Sequence, residues 1–141
     1  MNRTLHVLRT LVGVVFLLAS FDKLQHPGEF AEIINNYKIL PELLINPVAV
    51  ILPWLEFLCG LGLIFNVMAR GASLIVCVLM AVFLSALGFN HFRGLDVACG
   101  CFTTDPTAPT GSSWYLLRDA SIGLACLAVF WMQLLQQRNA R

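Results

Sequence analysis

Residues 47–68 read PVAVILPWLEFLCGLGLIFNVM, an uncharged run broken by one acid, Glu56. The run exceeds the roughly 20 residues that an α-helix needs to cross a bilayer, and it lacks the period-two alternation of a strand. In lipid the backbone must satisfy its own hydrogen bonds, which a helix does within one segment. The stretch therefore predicts a membrane-spanning helix. Three other stretches share its character: LHVLRTLVGVVFLLASFDKL at about 5–24, GASLIVCVLMAVFLSALGFNHF at about 71–92 and WYLLRDASIGLACLAVFWMQLL at about 114–135. Four such spans predict an all-α fold, an antiparallel four-helix bundle in the membrane, with residues 1–141 as a single domain.

Composition agrees. Of 141 residues 58% are hydrophobic and 12% charged, whereas a soluble domain is about one quarter charged. The net charge of +1 leaves no basic footprint for nucleic acid, so the expected surroundings are lipid. The first span has a rival reading as a secretory signal, with the apolar core TLVGVVFLLA and the small pair Ala19-Ser20. Its removal would leave three spans with the chain ends on opposite sides, so the four-span reading is preferred.

Orientation follows from the basic residues. With the N-terminus in the cytoplasm, Arg3, Arg70, Arg138 and Arg141 lie inside, while Lys23, Lys38 and Arg93 lie outside. This predicts a bacterial-type inner membrane protein with both termini cytoplasmic. Two loops then face outward. HPGEFAEIINNYKILPELLIN carries Phe30, Ile33, Ile34 and Tyr37 at helical spacing, which predicts a short helix on the membrane surface. RGLDVACGCFTTDPTAPTGSS is rich in Gly, Pro, Thr and Ser and is read as irregular and exposed.

The second loop carries Cys99 and Cys101 around Gly100, in a compartment where disulfides persist. Bridging two residues so close in sequence requires the chain to bend, and Gly100 permits the bend. A bridge over so small a loop is expected to exchange readily. Two competitors stand beside a redox pair. A metal site would draw on His91 and Asp96 or hold soft Cu(I) on two sulfurs alone, and buried cysteines can simply pack as small hydrophobes. Cys59, Cys77 and Cys126 lie inside spans, where packing is the expected role.

Charges within the spans are the other candidates. Glu56 is costly in lipid unless paired, and Arg118, one turn into the fourth span, is its expected partner, with Asp119 competing for the guanidinium. Pro53 is expected to kink the helix near this carboxylate. Arg9 is read as an anchor that snorkels to the cytoplasmic edge, and Asp22 and Lys23 as hydrated groups at the outer end of the first span.

With these residues in hand, the chain resembles the MauE/DoxX-like family of small redox-associated membrane proteins. The resemblance rests on the first span ending in SFDKL with HPGEF after it, on YKILP before the second span, on LPWLE followed by CGLGL within it, and most specifically on DVACGCF. It implies a four-helix membrane protein that works with a periplasmic thioredoxin-like partner, with Cys99 and Cys101 as the exchanging pair. Gly100, Asp96, Phe102, Glu56 and Arg118 are the supporting residues. No cofactor motif is present; a membrane quinone near Glu56 or Arg118 is the electron acceptor that a helical bundle suggests. The rival functions are a non-catalytic membrane subunit of a redox complex and a metal-handling protein built on the CGC loop.

Overall fold

A computed structural model describes residues 2–95, 97, 99–101, 104, 105 and 112–141. The described residues form five helices: α1 (Asn2–Gln25), α2 (Pro27–Asn36), α3 (Glu42–Phe65), α4 (Ala69–Phe92) and α5 (Ser112–Asn139). Four of them, all but α2, are long and apolar enough to cross a membrane. Their mid-span surfaces are apolar, with Leu11, Leu18, Ile51, Leu58, Val78, Leu124 and Trp131 exposed as lipid would require. The chain is a multi-pass membrane protein.

The four long helices form an antiparallel ring in which α1 packs on α3, α3 on α4, α4 on α5, and α5 back on α1. The α1–α3 interface is the tightest, and two glycines make it so. A Cβ on Gly13 would come within 2.9 Å of the Gly60 carbonyl, and one on Gly60 within 3.0 Å of the Gly13 carbonyl. Small residues let membrane helices gain van der Waals contact where no hydrophobic drive between helices exists. Val12, Phe16, Leu63, Val76, Met80 and Val129 fill the middle, and Cys59 and Cys126 pack among them with Cys77 against their cluster, as expected of free cysteines in spans.

The helix bounds depart from expectation in one informative place. α3 begins at Glu42 and runs through Pro47, where the sequence pattern suggested the span would start. Glu56 therefore has roughly 21 Å of helix before it, at about 1.5 Å per residue. α1, by contrast, ends at Gln25, just beyond Lys23. This offset leaves a step above the end of α1, and α2 fills it, packed on both α3 and α1. The amphipathic spacing of α2 buries Phe30 and Ile33, and Tyr37, just past its end, joins Ile33 and Leu87 in a second small core. The face read as membrane-seeking is turned onto the protein's own interior.

Candidate functional site

Beneath α2 the CGC segment folds back onto the bundle. Cys99 and Cys101 are joined as a disulfide, with their Cα atoms 5.4 Å apart. Gly100 between them has φ +69°, a left-handed conformation that favours glycine, and a Cβ there would press to 3.1 Å from Ile33 Cγ2. The Tyr37 hydroxyl donates to the Cys99 carbonyl at 3.3 Å, and the Thr104 N–H donates to Asp22 Oδ2 at 2.9 Å. The cysteine-bearing part of the loop, read as exposed, is instead tucked in: Cys99 is 7% exposed, Gly100 is buried and Cys101 is half-buried, while Arg93, Gly94, Leu95 and Asp105 are exposed as expected. Composition alone suggested solvent because the covering surface comes from α2, far away in sequence.

A carboxylate meets the sulfurs. Asp119 Oδ2 lies 2.7 Å from Cys99 Sγ and 3.6 Å from Cys101 Sγ. Asp119 is only 1% exposed, and its Oδ1 accepts from Arg118 Nε at 3.1 Å while Arg118 Nη2 stands 3.0 Å away. A reduced Cys99 would find an acceptor for its proton at this carboxylate. Burial, and secondarily the negative charge of Asp119, push the Tyr37 hydroxyl above the ordinary tyrosine range, so it stays a donor to the loop.

The expected Glu56–Arg118 pair does not form. Glu56 instead takes both hydrogen bonds from Lys23, at 3.0 and 2.8 Å, with both side chains buried. Lys23 is 2% exposed, not hydrated as its place at a helix end suggested, because α2 and α4 close over it with Phe30 and Phe83. The faces of Phe30 and Phe83 flank its ammonium at 5.1 and 5.7 Å. Arg118 turns the other way, against the Tyr115 ring at 5.0 Å. Asp96 and Phe102, two expected supporting residues, lie outside the described residues.

Lys23, Glu56, Asp119 and Cys101 border one cavity of about 30 Å³. That volume suits a single water molecule and falls far below the roughly 300 Å³ at which small-molecule pockets begin. A quinone ring has no preformed seat beside Glu56. Among the described residues, Cys99, Cys101 and Asp119 also form a cluster whose ligand atoms lie within 4.8 Å of one another, without the His91 considered from sequence.

Asp119 and Lys23 are the residues that sequence reasoning undervalued. Asp119 was visible only as a competitor for Arg118, since its contact with the sulfurs depends on the loop folding back. Lys23 carried a signal: it sits at the end of a long apolar run, where a lone cation needs either water or a counter-ion.

Comparison with known proteins completes the description. The family model for methylamine utilisation protein MauE matches residues 1–132. Methylamine utilization protein MauE of Paracoccus denitrificans is 34% identical over 127 residues, covering 89% of this chain and 67% of that protein. The protein of that name from Methylorubrum extorquens is 36% identical over 123 residues, covering 84% and 65%. The one from Methylophilus methylotrophus is 30% identical over 120 residues, covering 84% and 62%. The chain thus spans about two thirds of the length of these relatives. No solved structure matches. With the family model matched across nearly the whole chain and relatives above 30% identity, this multi-pass membrane protein belongs to the MauE family.

Proposed function

We propose that the protein exchanges disulfides through Cys99 and Cys101, on the extracytoplasmic face, with a thioredoxin-like protein of the periplasm. One observation carries the reading: a cysteine pair at bonding distance around a left-handed glycine, with a buried carboxylate 2.7 Å from one sulfur. Packing alone requires no acid at a thiol. A structural staple would gain little from a loop this short, since the stabilisation from a disulfide grows with the loop it closes.

The step balances as follows. A partner thiolate attacks Sγ of Cys101, the less buried of the two residues, forming a mixed disulfide and breaking the Cys99–Cys101 bond. Cys99 departs as a thiolate, and the Asp119 carboxylate relays to it the proton that the attacking thiol lost. The partner's second thiol then loses its proton to the Asp119 carboxylate and attacks the partner sulfur of the mixed disulfide, and Cys101 leaves as a thiolate that takes this proton from Asp119. The partner has lost two electrons and the bundle pair has gained them. Run backwards, the same steps reduce an oxidised partner, with direction set by the relative potentials. Reoxidation calls for an acceptor such as a membrane quinone. The relatives' name ties those proteins to methylamine utilisation, and we place the exchange in that setting.

The test is trapping. In membranes holding the Cys99→Ser variant, Cys101 should capture an oxidised thioredoxin-like partner as a reductant-sensitive adduct. The Cys101→Ser variant should capture less, since Cys99 is the more covered sulfur. Absence of any adduct from either variant would remove the proposal. A second reading, metal handling, is favoured by the three-ligand cluster; it predicts stoichiometric metal in the reduced protein, lost with Asp119→Ala.

A further inference from the structure

The end of the bundle farthest from the CGC segment holds a larger cavity, about 620 Å³, where the start of α1, the α3–α4 turn and the end of α5 meet. Its lining brings together Arg9, Arg70, His6, Asn66 and Gln133, and among the described residues it includes no Asp or Glu. Arg9 is the notable member. Read from sequence as snorkelling to the edge, it is 6% exposed, donating to Asn66 Oδ1 and lying 3.0 Å from His6 Nδ1. Among the described residues, none of its partners carries negative charge. Two donor atoms bordering the same space, Arg9 Nε and Gln133 Nε2, are buried without an acceptor. Unmet buried donors are costly, so this end has more donor capacity and positive charge than the described residues satisfy.

An apolar groove adjoins it. A second cavity of about 440 Å³ runs between α3 and α4, lined by residues such as Leu58, Phe65 and Ile75. It shares Met68 and Gly71 with the polar cavity. A cationic, donor-rich chamber opening onto a greasy groove matches an amphiphile with an anionic head and a hydrocarbon tail. We propose that this end binds one anionic phospholipid, with its phosphate among Arg9, Arg70 and Gln133 and an acyl chain along α3 and α4. A zwitterionic headgroup would bring its own cation beside the phosphate and against two guanidinium groups, whereas an anionic headgroup adds negative charge alone, which favours the anionic lipid. The site is independent of the CGC chemistry.

Native mass spectrometry of the full chain in detergent tests this, with phosphatidylglycerol and phosphatidylcholine of identical chains added in equal amounts. The expected result is one retained phosphatidylglycerol, at least tenfold preferred, with the preference lost in Arg9→Gln. It should be cut severalfold in Arg70→Gln, whose exposed side chain makes that variant safe for folding. Equal retention of the two lipids, or a preference unchanged by both substitutions, overturns the proposal. Two further arms separate other sources: inorganic phosphate that binds with no lipid preference assigns the chamber to a free anion, and ubiquinone-10 that displaces phosphatidylglycerol assigns it to a quinone, and either result overturns the lipid reading.

Discussion

The two ends of the bundle each bury a cation at the rim of the membrane, and they treat it in opposite ways. Near the sulfurs, Lys23 meets Glu56 through two hydrogen bonds between aromatic faces, and the local charge is closed. At the other end Arg9 is held by an amide and an imidazole, with no carboxylate lining the chamber. A closed pair fixes geometry, which suits a place where a carboxylate must sit 2.7 Å from a sulfur. An open cation leaves binding capacity, which suits a ligand from outside. The difference teaches that buried charge in this fold is not one device repeated but two, separable by whether the protein supplies the counter-ion.

The contrast can be broken experimentally, and the largest effect is expected at the sulfurs. Serine at either Cys99 or Cys101 should bring partner oxidation to the uncatalysed background, measured as loss of free thiols in the partner. Next comes the closed pair: Glu56→Ala leaves a buried ammonium without its partner and should cost about 3–5 kcal/mol in detergent unfolding. Replacing both members, Lys23→Met with Glu56→Leu, should recover most of that loss, because two apolar groups need no compensation. If the double variant is no better than the single one, the pair is not a closed unit.

Asp119→Asn keeps the shape of the side chain and removes its ability to cycle a proton. Exchange should slow about 100-fold, the lower part of the range for general acid–base catalysis, and the pH dependence of the rate should flatten. A purely structural Asp119 would lower stability without flattening the profile. Gly100→Ala forces a Cβ into a left-handed backbone 3.1 Å from Ile33 and should destabilise the loop by about 1–2 kcal/mol, read as faster labelling of Cys99 after reduction. The smallest effect belongs to Tyr37. Its hydroxyl titrates higher in the folded protein than in the unfolded chain, so the folded state holds the proton longer and stability falls as pH rises above about 10. Tyr37→Phe should remove that alkaline slope and cost about 1 kcal/mol at neutral pH for the lost bond to the Cys99 carbonyl.

Much of the fold was legible because lipid imposes a simple rule: long uncharged runs must become helices, and four of them were countable. The amphipathic spacing of residues 27–36 likewise announced α2, though not which surface it would seek. What stayed hidden depended on vertical offset between helices. Arg118, one turn into its span, was the expected partner of Glu56, while Lys23 was placed in water at the end of α1; the extra turns of α3 before Pro47 and the helix α2 above α1 put Lys23 inside the protein, beside Glu56. The burial of the CGC segment was hidden for the same reason, since the step that α2 fills exists only in three dimensions. The cysteine pair itself needed no structure to be noticed. Its carboxylate neighbour did, because Asp119 reaches the sulfurs across a loop whose course no spacing rule gives.

The central claim is that Cys99 and Cys101 open and close reversibly on the extracytoplasmic side. Differential alkylation in intact cells, with a membrane-impermeant maleimide applied before and after mild reduction, tests it most directly. The pair should be blocked from labelling as isolated, accessible after reduction, and blocked again once an oxidised thioredoxin-like partner is supplied. Cysteines that label without reductant in every condition, or only after the membrane is permeabilised, would contradict it.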